Sequence, residues 1–141
     1  MSRSFVEIDV LLPVADQEDA SNTCSAVYPY LEGKDCRLHV IHVIQKEPDN
    51  VDQAAIKHRS NEIFTVVREC FEASEIPVST DIRYGRNIAD VILEAADEYT
   101  AESIILTPRN RSIWRKLRSQ NVLGSLITAV EQPLIIIPAT D

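Results

Sequence analysis

LHVIHVI, residues Leu38 to Ile44, is the stretch whose reading decides the fold. A near-continuous apolar run of this length suits a strand buried on both faces, as in a parallel sheet covered by helices. His39 and His42 stand three apart. On a strand they point to opposite faces, so they cannot share a metal ion without distortion.

Working outward, four more short runs share this character. Val6 to Val14 precedes it, with Val10-Leu11-Leu12 at its centre. Pro77 to Tyr84, Ser103 to Thr107 and Leu134 to Ile137 follow. Helical stripes alternate with them. Ala20, Cys24, Val27, Tyr28 and Leu31 form the first, and Ile56, Ile63, Phe64, Val67 and Phe71 the second. Ile88, Val91, Ile92, Ala95 and Tyr99 form the third, with Asn87 placed to cap it. Val122, Leu123, Leu126, Ile127 and Val130 form the fourth, which Pro133 ends. The order βαβαβαβαβ predicts one α/β domain over residues 1–141, an open parallel five-stranded sheet with helices on both faces. Ligands of such sheets gather beyond the carboxyl ends of the strands, where the strand order reverses. The loops to weigh are therefore Pro13 to Asp19, Gln45 to Asp52 and Pro108 to Asn121.

The chain has 141 residues, with 14 basic against 22 acidic and a net charge of −8. That balance argues against nucleic acid and against anionic lipid, both of which need a basic face. Against this background, Arg109, Arg111, Arg115, Lys116 and Arg118 are concentrated in one loop. No acid occurs between Glu102 and Glu131. The apolar runs are far short of the roughly 20 residues of a membrane span. Cys24, Cys36 and Cys70 are sparse and form no C-x-x-C pair, which fits reduced thiols. The expectation is a cytoplasmic chain without membrane insertion. No nucleophile–base pair, metal-ligand cluster or carboxylate dyad can be read from the sequence. The expectation is thus no catalytic residue, no metal and no enzyme activity beyond slow nucleotide turnover.

Several stretches together resemble the universal stress protein family. Val10-Leu11-Leu12-Pro13-Val14 is similar to its opening strand, and Leu38 to Val43, closing on His42-Val43, to its second. Gly85 before an Ile/Ala/Leu-rich helix, Glu102 to Leu106, Gly124-Ser125 and Pro133 to Ile137 continue the likeness. The resemblance implies strand order 3-2-1-4-5, the adenine nucleotide alpha hydrolase-like arrangement. It also implies homodimers, commonly joined through the last strand. Some family members bind ATP through a Gly-x-x-Gly turn after strand four and a later Gly-Ser or Gly-Thr pair. Here Thr107 and Asn110 replace the two glycines, and 13 residues separate Asn110 from Gly124. Ala15 stands where binders carry the acid that holds the nucleoside. Gly124, Ser125 and Val43, the last at a position near adenine, match the binders.

Two readings of the basic loop follow. In one, Arg109 and Asn110 hold phosphates of ATP or AMP with the backbone near Gly124 and Ser125, while Val43 borders the base. The protein is then a nucleotide-responsive regulatory module. In the other, the arginines are solvated or meet another subunit. The protein is then a non-nucleotide homodimeric interaction module that engages a partner such as a transporter.

Overall fold

The computed structural model describes residues 8–14, 17–45, 49, 52–106 and 133–136. Five strands and three helices fall within them: β1 (Ile8–Val14), α1 (Gln17–Leu31), β2 (Cys36–Ile44), α2 (Gln53–Phe71), β3 (Val78–Tyr84), α3 (Ile88–Glu98), β4 (Ser103–Leu106) and β5 (Leu134–Ile136). The sheet order is β3-β2-β1-β4-β5 and every pairing is parallel, as the alternation of strands and helices requires. The fourth helical stripe, Val122 to Val130, lies outside the described residues.

Strand alternation sorts the core into two layers. Val10, Leu12, Val14, Leu38 and Val40 face α1 and α2, where Cys24, Val27, Ile63, Phe64, Val67 and Phe71 meet them. Leu11, Ile41, Ile104 and Leu106 face the other way, against Ile88, Ile92, Ala95 and Ala96 of α3. β1 and β4 are buried on both faces, which is why their sequences run apolar without alternation. β3 forms one edge and is only half buried along its length, so it reads as more polar and β-branched.

The helix boundaries follow local chemistry. Asp52 caps α2 by accepting from the backbone N–H groups of Ala54 and Ala55 at 3.1 and 3.2 Å. Asn87 caps α3 as its sequence position predicts, accepting from the Asp90 N–H at 3.0 Å. Gly33 follows α1 with φ 81°, the left-handed conformation that closes a helix most readily when no Cβ is present.

Candidate functional site

Toward their carboxyl ends the central strands β1 and β4 part, and one residue accounts for where they do. On β1 the odd-numbered residues turn their backbone groups toward β4: the Glu102 N–H donates to the Asp9 carbonyl at 2.8 Å. The two strands pair at Val10↔Ser103 and Leu11↔Ile104, and pairing stops there. The next rung needs an N–H from position 13, and Pro13 has none. On its other side β1 stays paired with β2 as far as Val14↔His42. Crossovers from β1 through β2 to β3 run one way, and β4 returns on the far side of β1. The gap left by Pro13 therefore lies at the switch point of the sheet.

The described residues at this end of the strands are apolar. Val14, Ile44 and Leu106 are all buried. Val43, which pairs with Arg83 in register, is half buried and packs against the α3-side layer. Just beyond it, Gln45 Nε2 donates to the Arg86 carbonyl at 3.4 Å, and the Gly85 N–H donates to the Ile44 carbonyl at 3.0 Å. These bonds tie the end of β2 to the turn that starts α3. Of the residues singled out in the sequence, Arg109, Asn110, Gly124 and Ser125 lie outside the described residues, as does Ala15. Val43 is described, and it stands at the carboxyl end of β2 on the α3 side.

A second polar constellation, missed in the sequence, occupies the α3 face nearer the amino ends of the strands. Asp9 is buried within β1. Arg37, its register partner on β2, reaches it with Nε 2.9 Å from Oδ1 and donates from Nη2 to Oδ2 at 3.0 Å. His39 Nε2 lies 2.8 Å from Asp9 Oδ1, and His39 Nδ1 lies 2.7 Å from Ser79 Oγ. Burial pushes the Asp9 carboxyl up, but hydrogen bonds from His39 and Arg37 and the attraction of both hold it below the ordinary carboxylate range. Asp9 is therefore ionised at neutral pH and can only accept, so the His39 nitrogen that faces it, Nε2, is the one that carries a proton. In the neutral ring Nδ1 is the acceptor, and the Ser79 hydroxyl donates to it.

The network continues through Tyr99. Its ring stacks on His39, its hydroxyl lies 3.4 Å from Asp81 Oδ2, and the Arg83 guanidinium sits 5.4 Å from its centroid. Arg83 donates to Glu98 Oε2 at 2.6 Å and Oε1 at 3.3 Å. Its Nε approaches Asp81 Oδ2 at 2.7 Å, an ion contact without hydrogen-bond alignment. The carboxylate of Glu98, followed by those of the neighbouring acids, keeps Arg83 charged throughout the accessible pH range.

His39 joins an acid and a hydroxyl on two neighbouring strands. The available signal was Asp9 inside an apolar strand, where a carboxylate needs partners. His58, by contrast, is exposed on α2, 3.8 Å from Glu62.

The sequence profile of the Universal stress protein family matches residues 9–138. No curated protein matches the chain. Among solved structures, a universal stress protein from Archaeoglobus fulgidus in complex with dAMP superposes with TM-score 0.66 at 16% identity, covering 94% of this chain and 99% of that one. A universal stress protein in complex with cAMP gives TM-score 0.61 at 14% identity, with 96% and 100% covered. A universal stress protein family protein from Arabidopsis thaliana with AMP bound gives 0.57 at 15%, with 94% and 92% covered. Those likenesses establish a shared fold, and the profile match over nearly the whole length establishes more: this chain belongs to the universal stress protein family.

Proposed function

We propose that this protein is a nucleotide-responsive regulatory module of the cytoplasm, with its ligand in the crevice opened by Pro13. The observation that carries this reading is the coincidence of that crevice with a fold whose relatives were crystallised with dAMP, cAMP and AMP. The three ligands share an adenine base and a single phosphate. In this reading Val43 borders the base. Arg109 and Asn110, with the backbone near Gly124 and Ser125, hold the phosphate. Guanidinium forks take over the task that glycine turns perform where backbone amides approach phosphate directly. The role at this crevice is regulatory binding in a stress response rather than metabolic catalysis.

A second reading is supported by β5. Its edge position and the 40% exposure of Ile135 make it a template for pairing with a second copy. A homodimer built there could engage a protein partner, such as the cytoplasmic face of a transporter, without any nucleotide.

The two readings separate in one experiment. The purified protein is denatured and the supernatant analysed for adenine nucleotide, and the native protein is then titrated with AMP and ATP in a thermal-shift assay. Selective binding to the native state must raise the melting temperature. Arg109→Ala should abolish that rise. No released nucleotide and an unmoved melting temperature at millimolar ligand would sink the first reading and favour the second.

A further inference from the structure

Ser79, His39 and Asp9 form a continuous hydrogen-bonded relay on three adjacent strands, away from the switch-point crevice. Each member has a different degree of burial, and the gradient matters. The Asp9 side chain is 9% exposed and that of His39 is 13% exposed, while Ser79 lies open to solvent on the edge strand. A reactant can reach the hydroxyl, while the groups that act on it are shielded and held. Arg37 keeps Asp9 an acceptor, Asp9 fixes the His39 tautomer, and the Tyr99 ring fixes the imidazole plane at 17°. In the neutral imidazole Nδ1 is the acceptor and stands 2.7 Å from Oγ, at the distance for proton transfer.

The backbone of β3 adds a donor on the open side. The Leu38 N–H donates to the Pro77 carbonyl, so odd-numbered residues of β3 turn toward β2. The N–H of Thr80, the residue after Ser79, faces the edge that no described strand pairs with, from which a substrate carbonyl would approach.

We infer that Ser79 is a nucleophilic serine, with His39 as its general base and Asp9 as the positioning residue, and that it accepts small acyl groups from activated esters. Ser79 Oγ forms a bond to the ester carbonyl carbon as its proton passes to His39 Nδ1. The carbonyl–alkoxide bond breaks, the imidazolium returns that proton to the leaving oxygen, and an alcohol departs. Water then attacks the acyl-serine and gives a proton to Nδ1. The bond to Oγ breaks, and Ser79 recovers its proton as the carboxylic acid leaves. The open position of Ser79 suits small, unselective acyl groups.

The test uses the full chain with two probes. An alkyl fluorophosphonate, which loses fluoride to an activated serine, should attach at Ser79 as located by peptide mass spectrometry. Hydrolysis of p-nitrophenyl acetate should fall by roughly a hundredfold in Ser79→Ala, whose exposed position leaves folding intact, and comparably in His39→Asn. Asp9→Asn should lower kcat with KM unchanged, because the site is still present but the tautomer is no longer enforced. Attachment elsewhere, or no attachment, would overturn the assignment, as would undiminished hydrolysis by folded Ser79→Ala. Neither result bears on nucleotide binding at the crevice.

Discussion

The imidazole of His39 lies flat against the ring of Tyr99, with centroids 4.3 Å apart. Tyr99 is the C-terminal cap of α3, so this contact fastens the end of the helix to β2. The Arg83 guanidinium adds a cation–π contact to the same ring. Removing the ring in Tyr99→Ala forfeits both contacts and exposes His39, at a cost of about 2 kcal/mol. Tyr99→Phe keeps the ring and loses the hydroxyl's contacts to Asp81, at 3.4 Å, and to Arg83, and should cost less than about 1 kcal/mol. Urea denaturation of the two variants checks the ranking. Equal costs would mean that the hydroxyl, not the ring, is the fastener.

Gly85 and Val91 meet where β3 turns into α3. A Cβ built on Gly85 would collide with Cγ2 of Val91, and the Gly85 backbone is anchored by its N–H on the Ile44 carbonyl. Valine is stiff at χ1 and Val91 is buried, so the clash cannot be relieved by rotation. Gly85→Ala should destabilise by about 1–3 kcal/mol. Adding Val91→Ala should recover part of that loss, so the double variant should be more stable than the sum of the single effects requires. Strict additivity would show that the penalty comes from the backbone and not from this contact.

Thr100 offers the opposite sign. It is exposed and has φ 53°, a left-handed conformation that a β-branched residue adopts only under strain. Its N–H donates to the Asp97 carbonyl at 3.1 Å, so the turn itself is needed. Thr100→Gly should raise stability by about 0.5–1 kcal/mol, read as a higher denaturation midpoint at unchanged slope. A lower midpoint would mean that the unfolded-state entropy of glycine outweighs the relief of strain.

How much of this was legible in the sequence depends on the range of the forces. Asn87 declared itself as a cap because its partner, Asp90, lies within one turn. The stripe through Ala20, Cys24, Val27 and Leu31 declared its buried face because helical period alone sets it. Val6, read into the first strand, lies outside the described residues. Pro13 was legible as a strand end, but its role in parting β1 from β4 requires knowing which neighbour each odd residue faces. The relay was hidden for the same reason. Asp9, His39 and Ser79 are brought together by register across three strands, and no local pattern records register. A carboxylate inside an apolar run demands a partner, but does not say which strand supplies it.

Register also sets the acid sensitivity of the fold. Asp9 is held below the ordinary carboxylate range by His39 and Arg37, against the opposing effect of burial. Glu98 is likewise lowered, first by its hydrogen bonds from Arg83 and then by the charge attraction, though its exposure makes its share small. A carboxyl with a depressed folded-state pKa stabilises the fold fully above its unfolded value, about 3.9 for aspartate, and loses that contribution as pH falls through the folded value. Stability should therefore be level with respect to these groups at neutral pH and decline below about pH 4. Asp9→Asn removes the titration. At pH 7 it leaves His39 and the half-exposed Arg37 without their carboxylate and should cost about 1–3 kcal/mol. At pH 3, below the unfolded value of about 3.9, the unfolded state of the wild type takes up the proton and part of that contribution is lost, so the difference between the two proteins should shrink. Unfolding free energies at the two pH values decide the matter. A difference that stays constant would mean that Asp9 contributes by shape and hydrogen bonding rather than by its charge.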